Sequence, residues 1–241
     1  MRPFKSRLPT LDEQRAIVAA YDAATAEAAA KERAADEVEA QAMSDFEAAL
    51  GYAPPVPAPD RPGFVASFKD FDRWSHEGVL RRITGAATAA TNWPMVELRQ
   101  AITDLENGWS PKCLDRPAEA DEWGVLKLGA VSFGSYDEKQ NKALPPHLTR
   151  RAALEVQAGQ VLISRANITR LVGATALIRQ TRPMLMLCDK IFRVIWRDPS
   201  PVLPEFITEV LRITEVRRQI EAKLTGTSPT MKNIPNRRCC R

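Results

Sequence analysis

Apolar positions change their rhythm twice along the chain. From Leu11 to Leu50 there is no Pro or Gly and alanine dominates, so the segment predicts one long helix. Ile17, Tyr21, Ala24, Ala28, Ala35, Val38 and Ala42 follow a three-four spacing. That is the pattern of a coiled-coil seam, interrupted at Lys31. Thr10 stands where it can cap the helix, and Glu13 three residues on can reach back to it. Gly51 and Pro54-Pro55 stop the helix. At about 1.5 Å per residue, such a helix is a rod of roughly 60 Å. Ile17, Val18 and Tyr21 would be exposed together unless a partner helix covers them.

Residues 51–63 hold five prolines and predict a semi-rigid, extended linker. Phe64, Phe68, Phe71 and Trp74 then read as anchors of a connecting segment. From Trp93 short apolar runs alternate with loops punctuated by Gly, Pro and Asn. Strands are expected near Met95–Leu98, Gly124–Leu128, Gln160–Ser164, Ala174–Ile178 and Lys190–Ile195. A final amphipathic helix is expected from about Pro204 to Leu224, packed on the sheet through Phe206, Ile207, Val210, Leu211, Val216 and Ile220. The predicted class is α+β, with a small mixed or antiparallel sheet and a packed C-terminal helix. The predicted organisation is a helix over 1–50, a linker and connecting segment over 51–90, and a folded domain over 91–241.

Charge sharpens this division. The 241 residues carry a formal net charge of +4. Residues 1–50 have 6 basic and 10 acidic side chains, a balance of −4. Residues 91–241 have 23 and 16, a balance of +7. An acidic helix joined to a basic domain suggests two tasks, the basic part facing a polyanion. No apolar run approaches the roughly 18 residues of a membrane span. The start of the chain has no apolar core to make a signal peptide. A cytoplasmic chain with no membrane partner is expected.

Several chemistries have no residues to carry them. None of the eleven glycines forms G-x-G, and there is no G-K-[ST] loop, so nucleotide and dinucleotide cradles are unsupported. His76 and His147 lie near none of Cys113, Cys188, Cys239 or Cys240, and no C-x-x-C pair exists, so no zinc site is expected. Glu221-Ala222-Lys223 has a nuclease-like Glu-x-Lys spacing, but such triplets are common on solvated helix faces. No cofactor, metal or catalytic residue is expected in this chain.

Three polar stretches remain. They are Gly108-Trp-Ser-Pro-Lys-Cys113, Ile163-Ser-Arg-Ala-Asn-Ile-Thr-Arg170 and Thr225-Gly-Thr-Ser-Pro-Thr-Met-Lys-Asn233. Arg and Asn make two-point contacts to base edges, and Ser, Thr and Lys suit phosphate oxygens. Arg165, Arg170 and Lys232 lie in these stretches, and Lys139, Lys142, Arg150 and Arg151 lie in the segment between the first two. The residues alone leave two readings open: DNA contact, or loops that cap their own backbone.

Five runs in order carry a resemblance. Trp123-Gly-Val-Leu-Lys-Leu-Gly-Ala-Val131, Gly159-Gln-Val-Leu-Ile-Ser-Arg-Ala-Asn167, Cys188-Asp-Lys-Ile-Phe-Arg-Val194 and Gly226-Thr-Ser-Pro-Thr-Met-Lys-Asn-Ile234 resemble the target-recognition domain of type I restriction–modification specificity subunits. Leu8-Pro-Thr-Leu-Asp-Glu-Gln-Arg-Ala-Ile-Val18 resembles the start of that family's spacer helix. Gln160 stands where the family usually has Asp, Cys188 where it often has Pro, and Pro229 where it commonly has Gly. The resemblance implies a non-catalytic subunit that reads one half of a split site on double-stranded DNA. It implies methyltransferase (modification) subunits and a restriction/translocase subunit as partners. Within that reading the chemistry of the polar stretches puts DNA contact first on Arg165, Asn167 and Arg170, then on Lys112, Ser228, Lys232 and Asn233. The resemblance places partner contact at Glu13, Gln14, Ile17 and Tyr21. A full subunit of the family has two such domains and two spacer helices, and the chain resembles only the central helix and the second recognition domain, so a truncated or half-subunit is expected, one that pairs with a second half or with itself through the helix. Two other classes stay open: a coiled-coil assembly protein or inactive remnant, and a stand-alone nuclease or methyltransferase.

Overall fold

The computed structural model describes residues 8–52, 65, 67, 93–94, 96–226 and 231–235. The anchors Phe64, Phe68, Phe71 and Trp74 lie outside the described residues, as do most of the Pro-rich stretch and Met95. Helix α1 runs Leu11–Ala49. Its capping box is complete: the Glu13 amide donates to Thr10 Oγ1 at 3.4 Å, and the Thr10 amide donates to Glu13 Oε2 at 2.8 Å. At the other end Gly51 takes φ 77°. The Gly51 amide then bonds the Ala48 carbonyl, and the Tyr52 amide bonds the Glu47 carbonyl. These are the two bonds of a Schellman motif, which a glycine at this position makes cheap. No described residue of α1 is buried. Ile17, Tyr21 and Val38 of the expected seam stand 59%, 70% and 71% exposed. No helix among the described residues is long and apolar enough to cross a membrane.

The sheet-rich part contains β1 (Ile102–Asn107), β2 (Gly124–Leu126), β3 (Val131–Ser132), β4 (Ser135–Tyr136), β5 (Asn141–Ala143), β6 (Val161–Ser164), β7 (Ala166–Asn167), β8 (Thr175–Leu177), β9 (Leu185–Met186) and β10 (Ile191–Trp196). Helices α2 (Pro204–Val210) and α3 (Thr214–Ala222) and strand β11 (Lys232–Asn233) follow. An antiparallel sheet has the order β1-β10-β6-β8. A mixed sheet has the order β5-β2-β9, with β2 and β9 parallel. β3 pairs with β4, and β11 pairs with β7. The α+β expectation therefore holds.

Within the four-stranded sheet, β6, β8 and β10 are largely buried on both faces, while β1 leaves Thr103 and Asp104 exposed. Along β6, Val161 and Ile163 join a core with Phe192, Val194, Ile207 and Leu211, under α2 and α3. Leu162, between them, joins a second core with Val125, Leu126, Leu185 and Ile191, against the mixed sheet. A strand covered on both sides needs apolar residues at every position, which is why β6 reads as an uninterrupted run. Each fully buried Leu, Ile, Val or Phe contributes about 1.5–3 kcal/mol relative to exposure.

Two elements differ from expectation. The Met95–Leu98 strand does not form in its described part: Leu98–Gln100 is a short 3₁₀ turn, and the strand begins at Ile102. A bulge between Ile102 and Asp104 breaks the period of two in β1. The expected helix over 204–224 is two helices. In an unbroken helix Leu211 and Ile213 would point about 200° apart. The break lets both reach the core, at 7% and 1% exposure. At its start, α3 receives a cap from α1, where Glu47 Oε1 accepts from the Thr214 amide at 2.9 Å. Phe46 packs edge-on to Phe206 at 5.9 Å, and Glu39 pairs with Arg212. These contacts dock the last turns of α1 against α2 and α3.

Candidate nucleic-acid interface

The antiparallel register brings three chain segments to one end of the four-stranded sheet. Asn107 closes β1 opposite Phe192, and Ile191 opens β10 opposite Ser164, the last residue of β6. The Gly108–Cys113 stretch leaves β1 at this end, and Arg165 leaves β6. Between β9 and β10, Cys188-Asp189-Lys190 arrives there. Gly108 makes the approach possible: a Cβ there would lie 2.2 Å from the Leu187 carbonyl oxygen. The next amide, of Trp109, donates to that same oxygen at 3.0 Å.

Asp189 ties these segments together. Its Oδ1 accepts from Ser110 Oγ at 2.5 Å, and its amide donates to the same Ser110 oxygen at 3.1 Å. Lys190 Nζ reaches Asp189 Oδ2 at 2.9 Å. Burial alone would raise the Asp189 carboxyl, but the bonds from Ser110 and Lys190 outweigh it and hold the group below the usual carboxylate range. Neighbouring Cys188 is buried, and that burial pushes its thiol up to about 11.

Arg165 enters the same cluster. Its Nη1 donates to Asn107 Oδ1 at 3.2 Å and to the Asp189 carbonyl at 3.1 Å. Its guanidinium lies 5.4 Å from the centre of the Phe192 ring. The third polar stretch joins through the backbone. The Arg165 carbonyl accepts from the Ile234 amide at 2.9 Å. β7 and β11 place Asn167 directly opposite Lys232, and Ala166 opposite Asn233. Asn167 Oδ1 caps the Ile168 amide, and Lys232 Nζ donates to the Gly226 carbonyl at 2.7 Å.

The expected DNA contacts thus divide. Arg165, Asn167, Lys232 and Asn233 lie together, and Lys112 is exposed on the stretch that Ser110 anchors. Ser228 lies outside the described residues. Arg170 is exposed and lines a cleft of about 490 Å³ between α1 and α3, whose walls include Asp36, Glu39, Arg212 and Arg217. Of the other basic residues singled out, Arg151 stacks on Trp109 at 4.1 Å, Arg150 lies over Trp123 at 5.6 Å, and Lys142 pairs with Asp115 at 2.7 Å. At the far end of α1, Glu13 is engaged in the cap and Gln14 Nε2 donates to the Pro9 carbonyl, while Ile17 and Tyr21 are open.

Sequence reasoning passed over Asn107 and gave Asp189 no role. Asp189 was present in a quoted run, beside Lys190. Asn107 offered no signal, because the strand that presents it was not recognised.

No family model matches the chain. Among curated proteins, the type I restriction enzyme EcoEI specificity subunit of Escherichia coli is 34% identical over 145 residues. That stretch is 59% of this chain and 24% of the relative, so the chain spans about a quarter of the length of the curated relative it matches. Among solved structures, the HsdS subunit from Thermoanaerobacter tengcongensis aligns over 97% of this chain and 50% of that one, with 16% identity and a TM-score of 0.38. The curated relative found by overall similarity is thus of the kind that the five sequence runs resemble, a type I restriction enzyme specificity subunit.

Proposed function

We propose that this chain recognises double-stranded DNA as the specificity subunit, or half of one, of a type I restriction–modification complex. The observation that carries this reading is the 34% identity over 145 residues to a protein that is itself such a subunit. Two polar stretches meet at Asp189 and the third joins them through β7 and β11, which supplies a face for it. In this reading residues 91–241 are the recognition domain, 51–90 the connecting segment and 1–50 the spacer helix. Lys112, Arg170, Ser228 and Lys232 hold phosphates and set register, while Arg165, Asn167 and Asn233 meet base edges. The chain itself is non-catalytic and cytoplasmic. Methyltransferase subunits dock near Glu13, Gln14, Ile17 and Tyr21 and supply the chemistry, and a restriction/translocase subunit acts at the bound site. The open seam of α1 pairs with a second specificity half or a second copy, which would cover Ile17, Tyr21 and Val38.

A gel shift with the full chain, alone and with a methyltransferase subunit, tests the proposal. Sequence preference at moderate salt is expected. Affinity should fall with salt by about 0.9 log unit per log unit for each phosphate neutralised. Binding with no preference under either condition refutes it.

A further inference from the structure

Resting on the DNA-recognition reading, we propose that Asn107 is a positioning residue for specificity, its side-chain oxygen setting the plane in which Arg165 meets DNA. Asn107 ends β1, Arg165 follows β6, and the two strands are separated by β10. Three groups from two distant parts of the chain hold the one guanidinium: Asn107 Oδ1, the Asp189 carbonyl and the Phe192 ring. Nη1 carries two hydrogens, and these two acceptors use both. Nε is buried and meets no acceptor among the described residues. Nη2 is therefore the nitrogen left to a ligand, and Arg165 offers one nitrogen instead of the two-nitrogen fork expected of a free arginine.

Of these holders, Asn107 is the replaceable one. The Asp189 acceptor is backbone, and Phe192 is fully buried in the core. Without Asn107 Oδ1, one Nη1 hydrogen loses its acceptor and the guanidinium turns about its remaining bond. A turned guanidinium still attracts phosphates, because its charge is unchanged. It no longer presents Nη2 in one direction. Loss of Asn107 therefore lowers discrimination between sequences while leaving non-specific affinity in place.

The test uses the full chain and selection from a randomised duplex library. The selected duplex and a scrambled one are then titrated against wild type, Asn107→Leu and Asn107→Asp. Asn107→Leu should lower the ratio of the two affinities by about ten-fold, the low end of what a base contact confers. Its affinity for the scrambled duplex and its salt slope should stay as in wild type. Asn107→Asp should restore the ratio, since a carboxylate holds a guanidinium at least as well as an amide oxygen. It should weaken both affinities together, because it adds negative charge near phosphates. Thermal unfolding of each variant reports its folding; if Asn107→Leu unfolds early, Asn107→Ser removes the reach of the acceptor without adding an apolar group. A wild-type ratio in the variant lacking the acceptor overturns the inference, as does an Asn107→Asp ratio as low as that of Asn107→Leu. Selection that yields no preferred duplex for wild type overturns the DNA-recognition reading itself, and this inference with it.

Discussion

Replacing Gly108 with alanine adds a single methyl group at the junction between fold and site. Gly108 has no left-handed backbone that would by itself forbid a side chain. Were there room, alanine would stabilise the protein by about 0.4–1 kcal/mol by reducing the freedom of the unfolded chain. The structure gives the opposite sign. The added Cβ would lie 2.2 Å from the Leu187 oxygen, 2.3 Å from the Leu187 carbon and 2.5 Å from the Cys188 oxygen. All three are backbone atoms, so no side chain can rotate out of the way. Relief requires the end of β1 to move away from residues 187–188 by about 1 Å, since ordinary carbon–oxygen contacts begin near the van der Waals distance. Overpacking of this kind costs about 1–3 kcal/mol. The shift also stretches the bond from the Trp109 amide to the Leu187 oxygen, worth about 1 kcal/mol. It further loosens the paired bonds between Ser110 and Asp189, worth about 1–2 kcal/mol. After the entropic gain is set against these terms, Gly108→Ala should destabilise the domain by about 2–5.5 kcal/mol, a large part of a typical total of about 5–15 kcal/mol. Equilibrium urea unfolding followed by tryptophan fluorescence measures it, with the shift appearing in the midpoint at constant slope. A variant as stable as wild type, or more stable, would refute the close approach at Gly108 and the site built on it.

Two further predictions concern the core and the long helix. Arg193, 8% exposed, donates Nε to Glu106 Oε2 at 2.7 Å, Nη1 to the Glu155 carbonyl and Nη2 to the Ala153 carbonyl. Arg193→Met leaves these acceptors unmet and should cost about 3–5 kcal/mol, part of which Glu106→Gln in the same chain should recover in a double-mutant cycle. At the start of α1, the side-chain hydrogen bond with Thr10, then that from the Thr10 backbone, lowers the Glu13 carboxyl below its ordinary value. A carboxylate lowered in the folded state contributes fully above its ordinary value, and the contribution is lost as pH falls through the lowered one. Hydrogen-exchange protection of the Thr10 and Glu13 amides should therefore fall on acidification, and Thr10→Ala, which keeps only the backbone bond to Glu13, should weaken that dependence while leaving the unfolding of the sheet-rich part unchanged; protection in wild type that ignores pH would count against the cap.

Legibility in the sequence followed the range of the interactions. The α1 boundaries were readable because Thr10, Glu13 and Gly51 act within a few residues of themselves. β6, β8 and β10 were readable because a sheet covered on both faces demands consecutive apolar residues. β1 was not, because its bulge and its outward Thr103 and Asp104 destroy the alternation that identifies a strand. β7 and β11 are two residues each and owe their existence to each other, 65 positions apart at Asn167 and Lys232. The break between α2 and α3 reflects a demand of the core, since Leu211 and Ile213 must both be buried. The polar stretches of the site were visible as chemistry. Their meeting was not, because the contact of the first two at Asp189 depends on the strand order β1-β10-β6, and the third joins only through the pairing of β7 with β11, which no local pattern encodes.

Among the described residues α1 is docked by its last turns, which makes it a lever. Glu39, Phe46 and Glu47 hold it against α2 and α3, while the residues from Leu11 to Val38 extend beyond those contacts as about 40 Å of helix at about 1.5 Å per residue. A tilt of about 5° at the docked end moves the far tip by about 3.5 Å over that length. Side chains at the far tip thus sample positions set by small changes beside Arg212 and Thr214. Any event that shifts α2 or α3 against the sheet is magnified along the rod, so the position of its far tip depends on one ion pair, one phenylalanine pair and one borrowed helix cap.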